Sequence, residues 1–348
     1  MSLTEDPAPD VAAARRVAAD RRAAEHWFAD HGLPWFVEQV DVRVARLMAP
    51  RRIIPLGVLA GVIGAAAARA TSRWGGDLST SGITGVSAAV LVVLIYAGGP
   101  LRVATMARWA AGRVLRELSL LLPLVTRALP LLLLFMTFLF VNTEVWQVGA
   151  ALDRSRLWAV VWLFVTLGVA FLLTRLPREV RRVEAGVQPE EVLGVCTGTP
   201  LAGVAATLRA GDLPAEATSL SPTQRANLVL VLLVAQAFQV LLLVLAVFAF
   251  FIGFGLLAIA PEVIEAWVGH PPTPLQLWGI PLRIPVSDEL FQVAAFLSAF
   301  AGLYFIVYAV SDATYREQFF AELDAELEQA VGVRAVYRTL LDGPSEDT

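Results

Sequence analysis

The sequence contains no lysine, a single cysteine and three histidines among its 348 residues. One cysteine, Cys196, excludes an intramolecular disulfide and a metal site built from paired cysteines. All 27 basic residues are arginine, and the net charge of −4 does not favour nucleic acid as a partner. Charged residues make up only 17% of the chain, which is too little polar surface for a water-soluble globule of this size.

The chain is instead strongly apolar: 57% of the residues are hydrophobic, the mean hydropathy is +0.65, and many of the hydrophobic residues stand in long runs. A helix needs about 20 mainly apolar residues to cross a bilayer. The runs predict an all-α membrane protein with a six-span helical bundle, flanked by a tail at 1–52 and a tail at 311–348. Within the transmembrane domain, 53–310, the predicted spans are 53–70, 82–98, 129–148, 157–174, 229–258 and 290–310.

The arginines indicate the orientation of these spans. The tail, the two loops and the C-terminal segment on one side carry 8, 5, 6 and 3 arginines, against 1, 2 and 1 in the loops on the other side. Arginine is enriched in cytoplasmic segments. We therefore expect a multi-pass protein of the plasma membrane with its N- and C-termini in the cytoplasm.

The fifth run, 229–258, is long for one perpendicular span. It is either one tilted helix or two segments. The stretch from Asn227 to Ile252 contains no glycine or proline that would form a turn. One long tilted helix is therefore the favoured interpretation.

Both tails are predicted to form amphipathic cytoplasmic helices. The N-terminal tail reads as a helix from Pro9 to Asp30, a break at 32–34 and a second helix ending near Arg52. The C-terminal tail, from Asp312 onward, places apolar residues at helical intervals. These helices can dock within one chain or between subunits, and the sequence leaves both open.

A basic amphipathic helix follows the second span. Arg102, Arg113 and Arg116 lie on one arc of this helix. Such a helix binds the anionic surface of the inner leaflet. The alternative is that it packs on neighbouring cytoplasmic segments.

Few polar residues interrupt the spans, and these are the candidates for a pore or ion contact. They are Glu144, Gln147, Gln236, Gln239 and Tyr304. The alternatives are a hydrated position at headgroup level for Glu144 and interhelical hydrogen bonds for the two later glutamines.

Two stripes of small residues predict close helix packing. The first span carries Gly57, Gly61 and Ala65, and the sixth carries Ala294, Ser298 and Gly302.

No catalytic residue, metal site or cofactor is predicted. Glu25, His26, Asp30 and His31 cluster in the tail without a second group of metal ligands. The glycine-rich stretch at 194–203 lacks the Lys-Ser/Thr pair of a phosphate-binding loop. An enzymatic activity therefore has no sequence support, although a missing motif does not exclude one.

Three segments carry a resemblance: ELFQVAAFLSAFAGLYFIVYAVSDATYREQFF (289–320), PEVIEAWVGH and LLLLFMTFLFVNTEVWQ. They resemble uncharacterised multispanning integral membrane proteins of high-GC actinobacteria. The resemblance implies a bacterial plasma membrane and carries over no activity and no site residue.

Two functions follow as hypotheses. The first is an oligomeric channel or transporter for ions or small solutes. The second is a membrane-organising or signalling protein whose cytoplasmic helices bind lipid or a protein partner. The expected partners are membrane lipids, further copies of the chain as a homo-oligomer and a cytoplasmic protein, with no nucleic acid.

Overall fold

The computed structural model describes residues 9–73, 78–98, 103–116, 133–186, 189–209, 211, 213, 219–277, 280–281, 284–311 and 313–342. This part of the chain is almost entirely α-helical. The helices are α1 Pro9–Asp30, α2 Glu38–Leu47, α3 Pro50–Arg73, α4 Leu78–Gly98, α5 Val103–Arg116, α6 Leu133–Phe140, α7 Thr143–Ala151, α8 Arg154–Gly186, α9 Pro189–Val195, α10 Ala202–Ala205, α11 Pro222–Ala258, α12 Pro261–Val268, α13 Asp288–Ser311 and α14 Ala313–Asp342. A 3-10 turn, Pro34–Phe36, and two antiparallel strands, β1 Gln276–Leu277 and β2 Ile280–Pro281, complete it.

Four helices, α3, α8, α11 and α13, are long and apolar enough to cross a membrane. The pair α6 and α7 gives a fifth candidate if it forms one broken span, and α4 contains a shorter apolar stretch. The chain thus has the helices of an integral membrane protein. α11 is one unbroken helix of 37 residues, so the choice of one helix for the fifth run is confirmed.

The third predicted span, 129–148, is not a straight helix. Its residues 129–132 lie outside the described part, and α6 and α7 meet at a bend of 75°. Asn142 caps α7 by accepting the backbone N–H groups of Glu144 at 2.8 Å and Val145 at 3.4 Å. The chain therefore turns toward α13 at this cap instead of continuing through the bilayer in one direction.

α3 and α4 form a hairpin in which two glycines let the backbones approach. A Cβ on Gly64 would lie 2.7 Å from the carbonyl oxygen of Gly85, and one on Gly85 would lie 2.8 Å from that of Gly64. Gly57, Gly61 and Ala65 lie instead on an exposed face, and no described atom lies within 4 Å of a Cβ at either glycine. Within one chain the packing thus uses the Gly64 face and not the predicted stripe.

The tails pack on one end of the bundle and form the terminal-helix core, whose buried side chains include Phe28, Trp35, Phe36, Leu201, Val331 and Tyr337. α14 is buried on every side from Ala330 to Tyr337. A Cβ on Gly332 would lie 3.2 Å from the carbonyl oxygen of Val192 in α9. The tail helices therefore pack against each other and against α9 of the same chain, and docking between subunits stays a prediction.

The opposite end of the bundle, termed the hairpin end, carries α12 and the strand pair. Here α6, α7, α11 and α13 enclose a second apolar core that includes Phe140, Trp146, Phe251 and Leu290. The Trp146 indole N–H donates to the carbonyl of Phe140 at 2.6 Å, and the Phe140 and Phe251 rings stack at 4.7 Å. These contacts fix the bend between α6 and α7.

Candidate functional site

The predicted pore residues are spread over the bundle. Glu144 and Gln147 are exposed on α7 at the hairpin end. Gln236 is 3% exposed and lies in the half of α11 nearer the terminal-helix core. Tyr304 is 40% exposed and stacks on Tyr308, with ring centroids 6.3 Å apart. The structure does not bring these residues together within one chain.

Two amides of this set lie in the apolar part of α11. The Nε2 of Gln236 and the Oε1 of Gln239 are buried and have no hydrogen-bond partner in the structure. A buried amide group without a partner costs free energy in an apolar environment. These two atoms are therefore places where a further polar group would bind favourably.

The predicted lipid-surface arginines belong to α5 and its flank. Arg113 is nearly buried, pairs with Glu326 of α14 and lies over the Trp109 ring at 5.6 Å. This carboxylate partner on α14 fits the alternative that α5 packs on neighbouring segments, and the lipid contact of Arg113 stays a prediction. Arg102 and the side chain of Arg116 lie outside the described residues.

The small residues of α13 lie against its neighbours. Ala294 and Ser298 are buried, and a Cβ on Gly302 would lie 2.5 Å from the side chain of Val244 in α11. The Ser298 hydroxyl donates to the carbonyl of Ala294 at 2.6 Å. The hydroxyl of Ser298 is therefore satisfied within the helix. Small residues of α13 also leave a space between α13, α11 and α8, which Ala295, Ser298 and Ala299 line.

That room forms an apolar groove of about 530 Å³ between α8, α11 and α13, termed the three-helix groove. Phe164, Phe248 and Phe291 form walls, while Ala237, Ala295 and Ala299 leave the space. Among the described lining residues only Ser298 and the Trp158 indole carry a polar side-chain group. The groove therefore presents an almost entirely apolar surface.

The groove opens sideways, toward the side of the bundle that faces lipid. Val165 of α8 and Leu241 and Leu245 of α11 line it and are each roughly half exposed. The groove is therefore accessible from the flank of the bundle.

A charged contact closes the hairpin end of the groove. The Arg154 guanidinium pairs with Asp288, lies 4.8 Å from the Phe291 ring centroid and donates to the carbonyl of Gln276 at 3.3 Å. Gln292 donates to the same Asp288 carboxylate at 3.1 Å. This network holds the ends of α8 and α13 together, so the groove has a fixed width at this end.

The other end of the groove, near Leu172 and Ile306, points to the terminal-helix core. Arg175 follows Leu172 by one helical turn, is half-buried, and its Nε is buried without a hydrogen-bond partner. The next arginines differ: Arg178 donates to the carbonyl of Thr174 at 2.9 Å, and Arg182 pairs with Glu179 at 3.1 Å.

A polar cluster joins the terminal-helix core to α8 and α11. Arg225 of α11 binds both carboxylate oxygens of Glu184 in α8 at 2.8 Å. Asp41 of α2 accepts hydrogen bonds from the hydroxyls of Ser221 and Thr223. Burial raises the pKa of Asp41, and the Ser221 hydrogen bond and the charge of Arg334 oppose this rise.

Arg334 and Asn227 are site residues that the sequence did not single out. Burial and the charge of Arg338 lower the pKa of Arg334 to about 10, although Asp41 and Glu184 oppose this shift. The Asn227 side chain, fully buried, accepts the Trp35 N–H at 3.0 Å and donates to another tail carbonyl at 3.1 Å. The sequence signal for Asn227 is its position as a polar residue at the edge of the apolar run that begins at 228.

The hairpin end holds a further buried acid, Glu289. Its carboxylate accepts the backbone N–H of Thr273 at 3.1 Å and the Thr273 hydroxyl at 2.8 Å. The His270 Nδ1 lies 4.0 Å away. Glu289 therefore ties the loop after α12 to α13, and no three His, Cys, Asp or Glu side chains in the described ranges form a group that could hold a metal ion.

No known protein-family model matches the chain, and comparison with curated proteins and with solved structures found no match. The geometry of the groove and of its two ends is therefore the observation from which a function is inferred.

Proposed function

We propose that this integral membrane protein binds the hydrocarbon chain of a membrane lipid in the three-helix groove and presents the terminal-helix core at the membrane surface. The observation that carries the proposal is the groove itself, about 530 Å³, apolar and open to the side. Its volume lies in the range of about 300–1,000 Å³ that is common for ligand pockets. This proposal differs from the membrane-organising hypothesis drawn from the sequence, because the lipid binds between the spans and not on the cytoplasmic helices.

The proposal includes six spans with both termini in the cytoplasm of a bacterial cell. Helices α3, α4, the pair α6–α7, α8, α11 and α13 would be the six crossings, and the terminal-helix core would be cytoplasmic. The arginine distribution supports this orientation, because 22 arginines fall on the proposed inner side and four on the outer side. The rings of Phe135 and Tyr304 lie with their centroids 6.2 Å apart, and this contact joins α6 to α13 within the bundle.

The chemistry of the groove favours a hydrocarbon chain over an ion. An ion that leaves water must find oxygen or nitrogen ligands at short distance, whereas a hydrocarbon chain gains dispersion contacts with the walls. The lining offers aliphatic and aromatic carbon along its length. A lipid chain also arrives through the sideways opening without leaving the bilayer.

An oligomeric channel or transporter is the second candidate. The buried, unpartnered amide atoms of Gln236 and Gln239 favour it, since polar groups in apolar spans commonly line a path. In this candidate the path would form between copies of the chain. Ion flux through liposomes that contain the protein, lost in Gln236→Leu, is the result that this candidate requires.

Native mass spectrometry of the detergent-purified full chain tests the lipid proposal. We expect the wild type to retain one phospholipid per chain. Ala237→Phe and Ala299→Phe fill the groove and should lower retention at least tenfold. Ala170→Phe is the matched control, because Ala170 is exposed on α8 outside the groove, and it should retain lipid like the wild type.

Retention by both groove variants at the wild-type level would overturn the proposal, as would a wild type that retains no lipid. Near-ultraviolet circular dichroism of each variant checks that the aromatic packing is intact. A loss of retention that is equal in Ala170→Phe would also count against the groove, because it would reflect a general effect of added bulk.

A further inference from the structure

We propose that the lipid in the three-helix groove is an anionic phospholipid whose phosphate pairs with Arg175. This inference rests on the proposed function, since it assigns a headgroup to the chain that the groove would hold. It assigns a binding role to a residue whose Nε has no hydrogen-bond partner among the residues that the structure describes.

Arg175 has the position that such a contact needs. It lies one turn beyond Leu172, the last residue of α8 that lines the groove. Residues that are three or four positions apart share a helix face, so Arg175 continues the face of Leu172 and of Gly168. A Cβ on Gly168 would lie 2.7 Å from Ile306, another residue that lines this end of the groove.

Arg175 also lacks the partners that satisfy nearby arginines. Its Nε is buried and has no hydrogen-bond partner. Glu179, which lies four residues further along the helix and is the natural ion-pair partner, is 7% exposed and bound by Arg182 instead. A guanidinium N–H held in an apolar setting without an acceptor is unfavourable. A lipid phosphate offers acceptor oxygens in the geometry that guanidinium binds with two hydrogen bonds.

The length of the groove fits a chain that begins at this phosphate. From Trp158 to Leu172 the helix advances fourteen residues, or about 21 Å at 1.5 Å per residue. Half of a hydrocarbon core of roughly 30 Å is about 15 Å. An acyl chain of one leaflet, anchored near Arg175, therefore lies within the groove along its length.

The surrounding charge favours an anionic lipid over a zwitterionic one. From Arg175 to Arg182 the sequence RLPREVRR contains four arginines and one acid, Glu179. A headgroup with an ammonium ion above its phosphate would place a second cation beside these arginines. A headgroup without a cation avoids this repulsion, and basic residues at the membrane surface attract anionic lipids in general.

The test is competitive lipid binding to the full chain, measured by native mass spectrometry with phosphatidylglycerol and phosphatidylcholine of identical acyl chains. We expect the wild type to prefer phosphatidylglycerol about tenfold. Arg175→Gln should abolish this preference while the chain still binds, and Arg175→Lys should keep part of it. Arg178→Gln is the matched control: it removes one positive charge from the same segment, but Arg178 is exposed and donates to the Thr174 carbonyl, so this variant should keep most of the preference.

Each failure has a distinct meaning. Equal binding of the two lipids by the wild type, or an unchanged preference in Arg175→Gln, overturns the headgroup assignment and leaves the groove proposal standing. Retention of neither lipid overturns both. Loss of the preference on addition of 10 mM inorganic phosphate, with unchanged phosphatidylcholine binding, would assign Arg175 to a soluble anion and refute the lipid contact. Thermal unfolding of Arg175→Gln at the wild-type temperature verifies that the variant is folded.

Discussion

Replacement of Asn227 by alanine should weaken the docking of the N-terminal tail on the bundle. The Asn227 amide accepts the backbone N–H of Trp35 at 3.0 Å and donates to the carbonyl of Gly32 at 3.1 Å. Alanine leaves both backbone groups buried without partners, and each unpaired group costs about 1–3 kcal/mol. The tail should therefore lose about 4 kcal/mol of docking free energy.

Limited trypsin digestion measures this loss, because Arg43 and Arg46 are exposed on α2 but are cleaved only when the helix opens. A loss of 4 kcal/mol raises the open population by almost three orders of magnitude at about 1.4 kcal/mol per factor of ten. Gln39→Ala, an exposed amide on the same helix, should digest like the wild type. If Asn227→Ala digests within threefold of the wild type, the two hydrogen bonds do not hold the tail.

Two further predictions concern packing and reactivity. Gly64→Val should destabilise the detergent-solubilised protein by about 2 kcal/mol, because a Cβ at this position meets the backbone of Gly85 and overpacking costs free energy. Gly61→Val is the control, since there is open space around Gly61, and it should melt at the wild-type temperature. Equal melting temperatures of the two variants would contradict the contact between Gly64 and Gly85. Burial raises the pKa of Cys196 to about 11, so maleimide labelling at pH 7.5 should be about a hundredfold slower in the folded than in the unfolded protein. The rate in the folded protein should rise about tenfold per pH unit and level off above pH 11, because the thiolate is the reactive form. Labelling at the same rate in both states would show that the thiol is accessible.

Features set by local residues were predictable from the sequence. The break between α1 and α2 follows from Gly32, which has φ +72, and from Pro34. The continuity of α11 follows from the absence of glycine and proline over 227–252 and from a capping box at Ser221. These signals lie within a few residues of the feature that they determine.

Features that depend on which helix faces meet were not predictable in the same way. α3 carries small residues on two faces, Gly57 with Gly61 and Ala60 with Gly64, and only the position of α4 selects the second face. The groove needs α8, α11 and α13 in register, which no local pattern encodes. The fourth span was predicted to end at 174, yet α8 continues through Pro177 to Gly186, since its continuation packs in the terminal-helix core.

The length of α11 exceeds the thickness of the hydrocarbon core of a bilayer. Its 37 residues extend about 55 Å at 1.5 Å per residue, against a hydrocarbon core of roughly 30 Å. No break interrupts this helix. Its first part packs in the terminal-helix core, and the rest lies among the apolar helices of the bundle. About 25 Å of the helix is thus left beyond a core of that thickness, and Leu228, Val231 and Leu232 in this part of α11 pack among the tails.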